Sequence, residues 1–271
     1  MNVYFELLIL TSYLLACLEI FTGYLKKNPK LLKIGNITLF LGFFLHTLNL
    51  LNYVYFSTLY HSYIPNSIYF NFLGWIILLI LLILWLKLKL NFLFLLGAPL
   101  TLLFYSSSLI IRLKLKKMLT VQTLNFWFGL HLFTLFSSLA LLALAFGSGL
   151  IYLYLENKIK TKSKLPKFSN DFPSLNFFDH LNHIAIIYGF PLFSLGVFTG
   201  FIWATLSWKK VFIWNLKEIF ALIIWIFFAY LFHQRVALGW KGKSMAQLTI
   251  WLFIIFVISF VGISLFAQIK Q

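Results

Sequence analysis

Residues 198–243 read FTGFIWATLSWKKVFIWNLKEIFALIIWIFFAYLFHQRVALGWKGK. One apolar segment in this stretch ends at Trp203, a second runs on to His233, and a short aromatic and charged piece lies between them. Trp and Tyr are favoured at the boundary between membrane and water because one end of the ring is apolar and the other is polar. The stretch therefore predicts two membrane-spanning helices joined at one membrane surface.

The joining piece carries more large aromatic residues than a membrane boundary needs. Trp208, Phe212 and Trp214 follow one another at spacings of four and two. The charged residues Lys217 and Glu218 come directly after them. Such a group can form a flat apolar platform with polar atoms at its edge, and this arrangement suits a large planar ligand.

Composition decides the class of fold. The chain is 62% hydrophobic and only 10% charged, which excludes a soluble domain. Its apolar runs are about 20 residues long, enough to cross a bilayer, and they are continuous rather than alternating, which favours helices over a barrel. We predict an all-α fold, a polytopic membrane helix bundle in a single integral membrane domain over 1–271. The eight predicted transmembrane helices are 3–25, 34–56, 68–88, 91–111, 124–155, 181–205, 217–237 and 245–267.

The basic residues indicate orientation rather than a nucleic-acid partner. The net charge is +16, but most Lys and Arg residues lie between apolar runs, where they set topology and meet anionic lipid head groups. Their distribution predicts an external N-terminus, a cytoplasmic 156–180 loop and an outer 206–217 segment. The first span is expected to be retained, because it lacks the basic start and cleavage site of a signal peptide. The single cysteine, Cys17, excludes an internal disulfide.

A basic cluster at 112–117 (RLKLKK) departs from this orientation. It is either an interfacial helix with anchoring side chains, a cationic patch for an anionic ligand or partner, or a sign that the topology differs. These alternatives stay open at the level of sequence.

The stretch that begins near Gly200 resembles the tryptophan-rich segment of the cytochrome c assembly family, the CcsA, CcmC and HemX-like membrane proteins. The matching residues keep the order and spacing of that family: Gly200, Trp203, Trp208, Trp214, Trp225, 230–235 (YLFHQR) and 239–242 (GWKG). Departures occur at Lys209, Phe212, Asn215, Leu216 and Phe220, where the family has Gly, Trp, Asp, Pro and Trp. The resemblance extends more loosely to His131 and identifies 125–267 as a family-like core.

The resemblance implies a haem-binding protein of cytochrome c biogenesis in the bacterial cytoplasmic membrane. Such a protein holds non-covalent haem b and presents it at the outer face for attachment to apocytochrome c. It works within a haem lyase system, in some members with a second membrane subunit; this chain has no self-contained catalytic motif. The alternative within the family is a HemX-like sensing or accessory protein that attaches nothing. Trp203, Trp208, Phe212 and Trp214 would form the porphyrin-facing surface.

Two histidines are candidates for an intramembrane haem site. His46 lies in the middle of the second span, where an ionisable residue is expensive and is expected to have a function. It is either a haem ligand or a histidine hydrogen-bonded to a neighbouring helix. His233 matches the histidine of the family's L-H-x-R pattern and is the predicted opposing ligand. Arg235 is either the partner of a haem propionate or an anchor on the cytoplasmic side.

His131 matches the external histidine that precedes the family's aromatic segment, and we predict it as an external ligand of haem iron. The family commonly places a second external histidine after its last span, whereas this sequence reads VGISLFAQIKQ there. His61 is a possible substitute. His180 and His183 lie three residues apart beside Asp179, which suggests either metal ligands or capping and interface residues. Glu218 either stabilises a helix N-terminus or orients Trp214 or a ligand.

Overall fold

The computed structural model describes residues 3–59, 64–65, 67–88, 91–114, 118–119, 126–162, 173–212 and 214–269. These residues form eight helices and one pair of two-residue strands. The helices are α1 (Val3–Leu25), α2 (Pro29–Leu59), α3 (Ile68–Leu88), α4 (Phe92–Lys114), α5 (Phe126–Lys160), α6 (Leu175–Trp208), α7 (Leu216–Val236) and α8 (Lys243–Ile269). Strand β1 (Ile64–Pro65) pairs antiparallel with β2 (Met118–Leu119).

The predicted polytopic helical membrane bundle is confirmed. The first seven helices are long and apolar enough to cross a membrane, and α8 is apolar over Lys243–Ser259. Several helices extend beyond the predicted spans: α6 begins at Leu175 rather than at 181, and α5 continues to Lys160. Both ends of the predicted 156–180 loop are therefore helical. The difference arises because hydropathy marks only the part of a helix that crosses hydrocarbon, whereas the helix continues through polar residues at the membrane surface.

The helices group into two compact units. Unit 1 contains α1 to α4 and unit 2 contains α5 to α8. Unit 2 covers almost the same residues as the family-like core that the sequence predicts over 125–267. The prediction of one integral membrane domain over 1–271 stays a prediction.

Unit 1 depends on small residues where α1 and α2 meet. A Cβ placed on Gly35 would lie 2.8 Å from Ile20 Cγ1 and 3.0 Å from the backbone N of Ile20. Gly42 is similarly close to the ring of Tyr13, at 3.0 Å. Small residues at such points let two membrane helices approach closely, and packing rather than the hydrophobic effect drives their association within a bilayer.

A Gly35→Ala substitution tests this close approach. The added methyl meets backbone as well as side chain, so the helices must separate, and we expect a loss of about 1–3 kcal/mol in the free energy of unfolding. Gly74→Ala is the matched control in the same unit, because its Cβ would lie at an ordinary 3.4 Å from Phe104 and Thr101. Denaturant titration of the detergent-purified variants measures both. Equal stability of the two variants would contradict the interpretation.

Unit 2 contains a polar seam between α5 and the antiparallel α6. His131 Nδ1 lies 2.7 Å from Gly196 O, and Ser138 Oγ donates to Gly189 O over the same distance. Asn182 Nδ2 donates to Ala145 O at 3.1 Å. The three contacts recur every seven residues on both helices, the spacing that keeps one face of a helix against its neighbour. This seam fixes the register that brings His131 against the last turns of α6.

Candidate functional site

His131 lies in the second turn of α5, partly exposed, with one ring nitrogen fixed by the backbone of α6. Its Nδ1 contacts the carbonyl oxygen of Gly196 at 2.7 Å. A carbonyl can only accept a hydrogen bond, so Nδ1 carries the hydrogen and Nε2 of the neutral imidazole keeps its lone pair. Within the part of the chain that the structure describes, Nε2 has no hydrogen-bond partner. This is the arrangement that metal-binding histidines use.

The His131 ring lies beside an indole. It stacks on Trp203 with a centroid distance of 6.3 Å and an interplanar angle of 13°. Trp203 in turn contacts Phe128 at 4.9 Å and Trp208 at 4.7 Å. Trp208, the last residue of α6, is 44% exposed. An imidazole with a free nitrogen therefore lies beside an aromatic cluster that reaches the surface of unit 2.

The connection between α6 and α7 adds a second aromatic pair. Phe212 and Trp214 lie 4.5 Å apart in an edge-on arrangement, and Phe201 of α6 contacts Phe212 at 5.9 Å. Trp214 is 73% exposed and has a φ of 59°, a left-handed conformation that is strained for a bulky residue. We call Trp203, Trp208, Phe212 and Trp214 the aromatic rim.

Glu218 stabilises the strained backbone at Trp214. Its Oε2 accepts a hydrogen bond from the Trp214 backbone N at 2.8 Å. Asn215 Oδ1 accepts from the Glu218 backbone N at 3.0 Å, and Asn215 Nδ2 donates to Glu218 Oε1 at 3.0 Å, so the two residues bond reciprocally at the start of α7. Glu218 thus performs both roles that the sequence left open: it stabilises the helix end and it orients Trp214.

Arg235 and His233 lie near the opposite end of α7 from the aromatic rim. The separation from Leu216 to His233 is about 26 Å along the helix axis. His233 is exposed, whereas Arg235 is 6% exposed. The Arg235 guanidinium donates to both carboxylate oxygens and the backbone O of Asp179, to Trp240 O and to His183 Nδ1. These contacts use all five of its N–H groups.

His46 lies in unit 1 and is fully buried. Its Nδ1 contacts the Tyr13 hydroxyl at 2.8 Å, and its Nε2 lies 2.5 Å from Asn71 Oδ1. Both ring nitrogens are therefore hydrogen-bonded to α1 and α3. This geometry matches one of the two alternatives that the sequence offers for His46, a histidine hydrogen-bonded to neighbouring helices. Its pairing with His233 on haem iron stays a prediction.

Where the structure describes them, the remaining polar candidates show no grouping that suits a metal ion. Asp179 and His183 both face Arg235, and the rings of His180 and His183 lie 6.3 Å apart. Among the described residues, no three His, Cys, Asp or Glu side chains come together in a way that could hold an ion. His61 and residues 115–117 of the basic cluster lie outside the described residues. Arg112, at the start of that cluster, pairs with Glu6.

A known protein family matches almost the whole chain. The profile of the family described as "Cytochrome C assembly protein" matches residues 1–269. The chain belongs to the cytochrome c assembly protein family. Its similar relatives include proteins named cytochrome c biogenesis protein CcsA from Cyanophora paradoxa, Guillardia theta and Rippkaea orientalis.

These relatives are similar over part of their length. The protein from Cyanophora paradoxa is 37% identical over 33% of this chain and 28% of its own. The one from Guillardia theta is 28% identical over 51% of this chain and 50% of its own. The one from Rippkaea orientalis is 31% identical over 48% of this chain and 39% of its own length. The chain thus spans half or less of the length of these cytochrome c assembly relatives.

The sequence resemblance to the cytochrome c assembly family led to His131 and the aromatic rim but not to the groups that position them. The structure brings His131, Trp203 and Trp208 together and pairs Phe212 with Trp214. The contribution of the Gly196 carbonyl was missed, because every residue type has a backbone carbonyl and the sequence does not indicate which one accepts a hydrogen bond. The seven-residue spacing of His131, Ser138 and Ala145 was a signal that could have indicated the facing helix.

Proposed function

We propose that this member of the cytochrome c assembly family binds haem and presents it at the aromatic rim for attachment to apocytochrome c. The observation that supports the proposal is the free Nε2 of His131 beside Trp203. The names of the similar relatives agree with a role in cytochrome c biogenesis. In the predicted orientation the rim lies on the outer side of the membrane.

The residues at this end of unit 2 fit haem by their chemistry. A neutral imidazole nitrogen is a common axial ligand for haem iron, and the hydrogen bond from Nδ1–H to Gly196 O raises the basicity of the other nitrogen. Trp203 and Trp208 supply apolar surface for a planar ring system, and Phe212 and Trp214 extend it. When bound, haem supplies the iron and the vinyl groups, while the protein supplies binding and orientation.

We also propose His46 and His233, each considered by itself, as intramembrane ligands of haem b. His46 would have to exchange one of its two hydrogen bonds for the iron, and His233 is exposed and accessible. Arg235 stands outside this proposal, because all its N–H groups already have partners in unit 2.

The test of the proposal is the haem content of the detergent-purified protein, measured by absorption and by the pyridine haemochrome assay. We expect the unsubstituted protein to contain haem. His131→Ala should weaken haem binding by at least roughly 10- to 100-fold, the size of effect seen when even an outer-shell group of a metal site is removed. His180→Ala is the matched control, since His180 is an exposed histidine whose ring contacts His183.

Three outcomes would count against parts of the proposal. Absence of haem from the unsubstituted protein would contradict the proposal that it binds haem. Normal c-type cytochromes in cells that lack the protein would contradict a role in haem attachment and favour a sensing or accessory role. A His233→Ala variant with unchanged haem content and spectrum would contradict His233 as a haem ligand.

A further inference from the structure

We infer that one face of α6 acts as a cradle that positions His131, and that Gly200 is the residue on which this positioning depends. The cradle consists of the Gly196 carbonyl, Gly200 and Trp203. The inference rests on the proposed function, because it concerns how His131 is prepared to bind haem iron. Gly200 is therefore a positioning residue, which acts through His131.

The three cradle residues lie on the same side of α6. Their spacings of four and three residues place them one above another along the helix. Gly196 O accepts from His131 Nδ1 at 2.7 Å and also from Thr199 Oγ1 at 3.1 Å. The ring of Trp203 lies nearly parallel to the imidazole, with a centroid distance of 6.3 Å. The ring is thus hydrogen-bonded at one edge and flanked by an indole, both contributed by the same helix.

Gly200 provides the space that the imidazole occupies. A Cβ at this position would lie 2.7 Å from both Cε1 and Nδ1 of His131. Real Cβ atoms essentially never lie within 3.0 Å of another heavy atom, so a side chain at residue 200 must displace the ring or the helix that carries it. Displacement moves Nδ1 away from Gly196 O and removes the bond that keeps the hydrogen on Nδ1. Gly196 assists the approach of the helices, since a Cβ there would lie 2.6 Å from Leu135.

The other described histidines lack such a cradle. His46 uses both ring nitrogens in hydrogen bonds to side chains. His183 accepts from Arg235 at Nδ1, so its hydrogen is on Nε2 and the lone pair is already used. His180 and His233 are exposed. His131 alone among these five has a backbone carbonyl that fixes its tautomer while Nε2 stays available.

Histidine ¹⁵N NMR of the haem-free, detergent-purified protein tests the cradle without requiring activity. His131→Ala identifies the signals of residue 131 by their loss. We expect His131 to be in the Nδ1–H tautomer in the unsubstituted protein and a mixture of tautomers in Gly200→Ala. Gly129→Ala is the control, because nothing lies within 4 Å of the position its Cβ would take. An Nε2–H tautomer in the unsubstituted protein would overturn the inference, even if Gly200→Ala fails to fold.

Haem titration of the same variants gives the second readout. Gly200→Ala should lower haem affinity roughly 10- to 100-fold, the effect of losing a group that orients a metal ligand, while Gly129→Ala should leave it unchanged. If His131→Ala lowers affinity but Gly200→Ala changes neither affinity nor tautomer, the cradle is wrong and the proposed function stands. If the tautomer responds to Gly200→Ala but no variant binds haem, the proposed function is wrong and the cradle stands.

Discussion

Arg235→Ala is expected to destabilise unit 2 by about 3–5 kcal/mol, the loss typical of breaking a buried ion pair by removing one partner. Arg235 is almost completely buried, and its guanidinium contacts the Asp179 carboxylate at 2.8 and 3.0 Å. Asp179 also accepts from the Gly242 backbone N at 2.8 Å. Removal of the guanidinium leaves this carboxylate without its cation and frees the turn between α7 and α8. Denaturant titration in detergent measures the change.

Lys160→Ala is the control for this prediction. Lys160 pairs with Glu156 at 2.9 Å on the exposed surface of α5, and surface pairs one helical turn apart contribute only about 0.3–0.5 kcal/mol. Arg235→Lys keeps the charge but loses the fork that reaches both carboxylate oxygens, so it should fall between the two. If Arg235→Ala is as stable as Lys160→Ala but binds less haem, the sequence-based prediction of a propionate partner would be favoured over a structural role.

The class of fold could be predicted from sequence because hydropathy is a property of whole segments. Continuous apolar runs of about 20 residues have one physical solution in a bilayer, the helix. The ends of those helices could not be predicted as well. Asn176, Asp179 and His180 lower the hydropathy at the start of α6, and yet they are helical. Polar residues at a membrane surface are compatible with helix, so the end of an apolar run is not the end of the helix.

The partners of the buried polar residues could not be predicted for a different reason. In a soluble protein the apolar face of a helix indicates what is buried, but a membrane helix is apolar toward both lipid and protein. Ile9 is fully buried and Leu8 is 51% exposed, although both are aliphatic residues of α1. Nothing in the sequence therefore indicated that His46 would meet Tyr13 and Asn71. A carboxylate inside a membrane span, such as that of Glu6, needs a partner, but the sequence does not indicate that this partner is Arg112, 106 residues away.

Candidate site residues could be predicted where they lie close together in the sequence, because their spacing alone keeps them close in the fold. The aromatic rim falls within twelve residues of sequence from Trp203 to Trp214, so its members remain close in any helix–turn–helix arrangement. His131 was identified only through family resemblance, and it meets Trp203 because the seven-residue seam aligns α5 with α6. Long-range contacts of this kind depend on helix register, which one sequence does not reveal.

A further large loss of stability is expected in unit 1 from Glu6→Ala. Glu6 is 2% exposed, and both of its carboxylate oxygens accept from Arg112. Tyr53 donates to the same carboxylate at 3.1 Å and accepts from Arg112 at 2.9 Å. Glu6→Ala leaves the Arg112 guanidinium without its counter-charge between α1, α2 and α4, and we expect a loss of about 3–5 kcal/mol in the free energy of unfolding.

Two comparisons separate the ion pair from the general effect of losing a carboxylate. Glu19→Ala removes the other carboxylate of α1, which is partly exposed and accepts a hydrogen bond of 2.8 Å from Thr38, so the loss should be about 1 kcal/mol. The double variant Glu6→Leu with Arg112→Leu replaces both charges by apolar side chains that suit a membrane interior. Because removing a buried pair together avoids an uncompensated charge, the double variant should recover most of the stability lost in Glu6→Ala. A double variant that is less stable than Glu6→Ala would mean that the two charges stabilise unit 1 independently, and the ion pair would not be what joins α1 to α4.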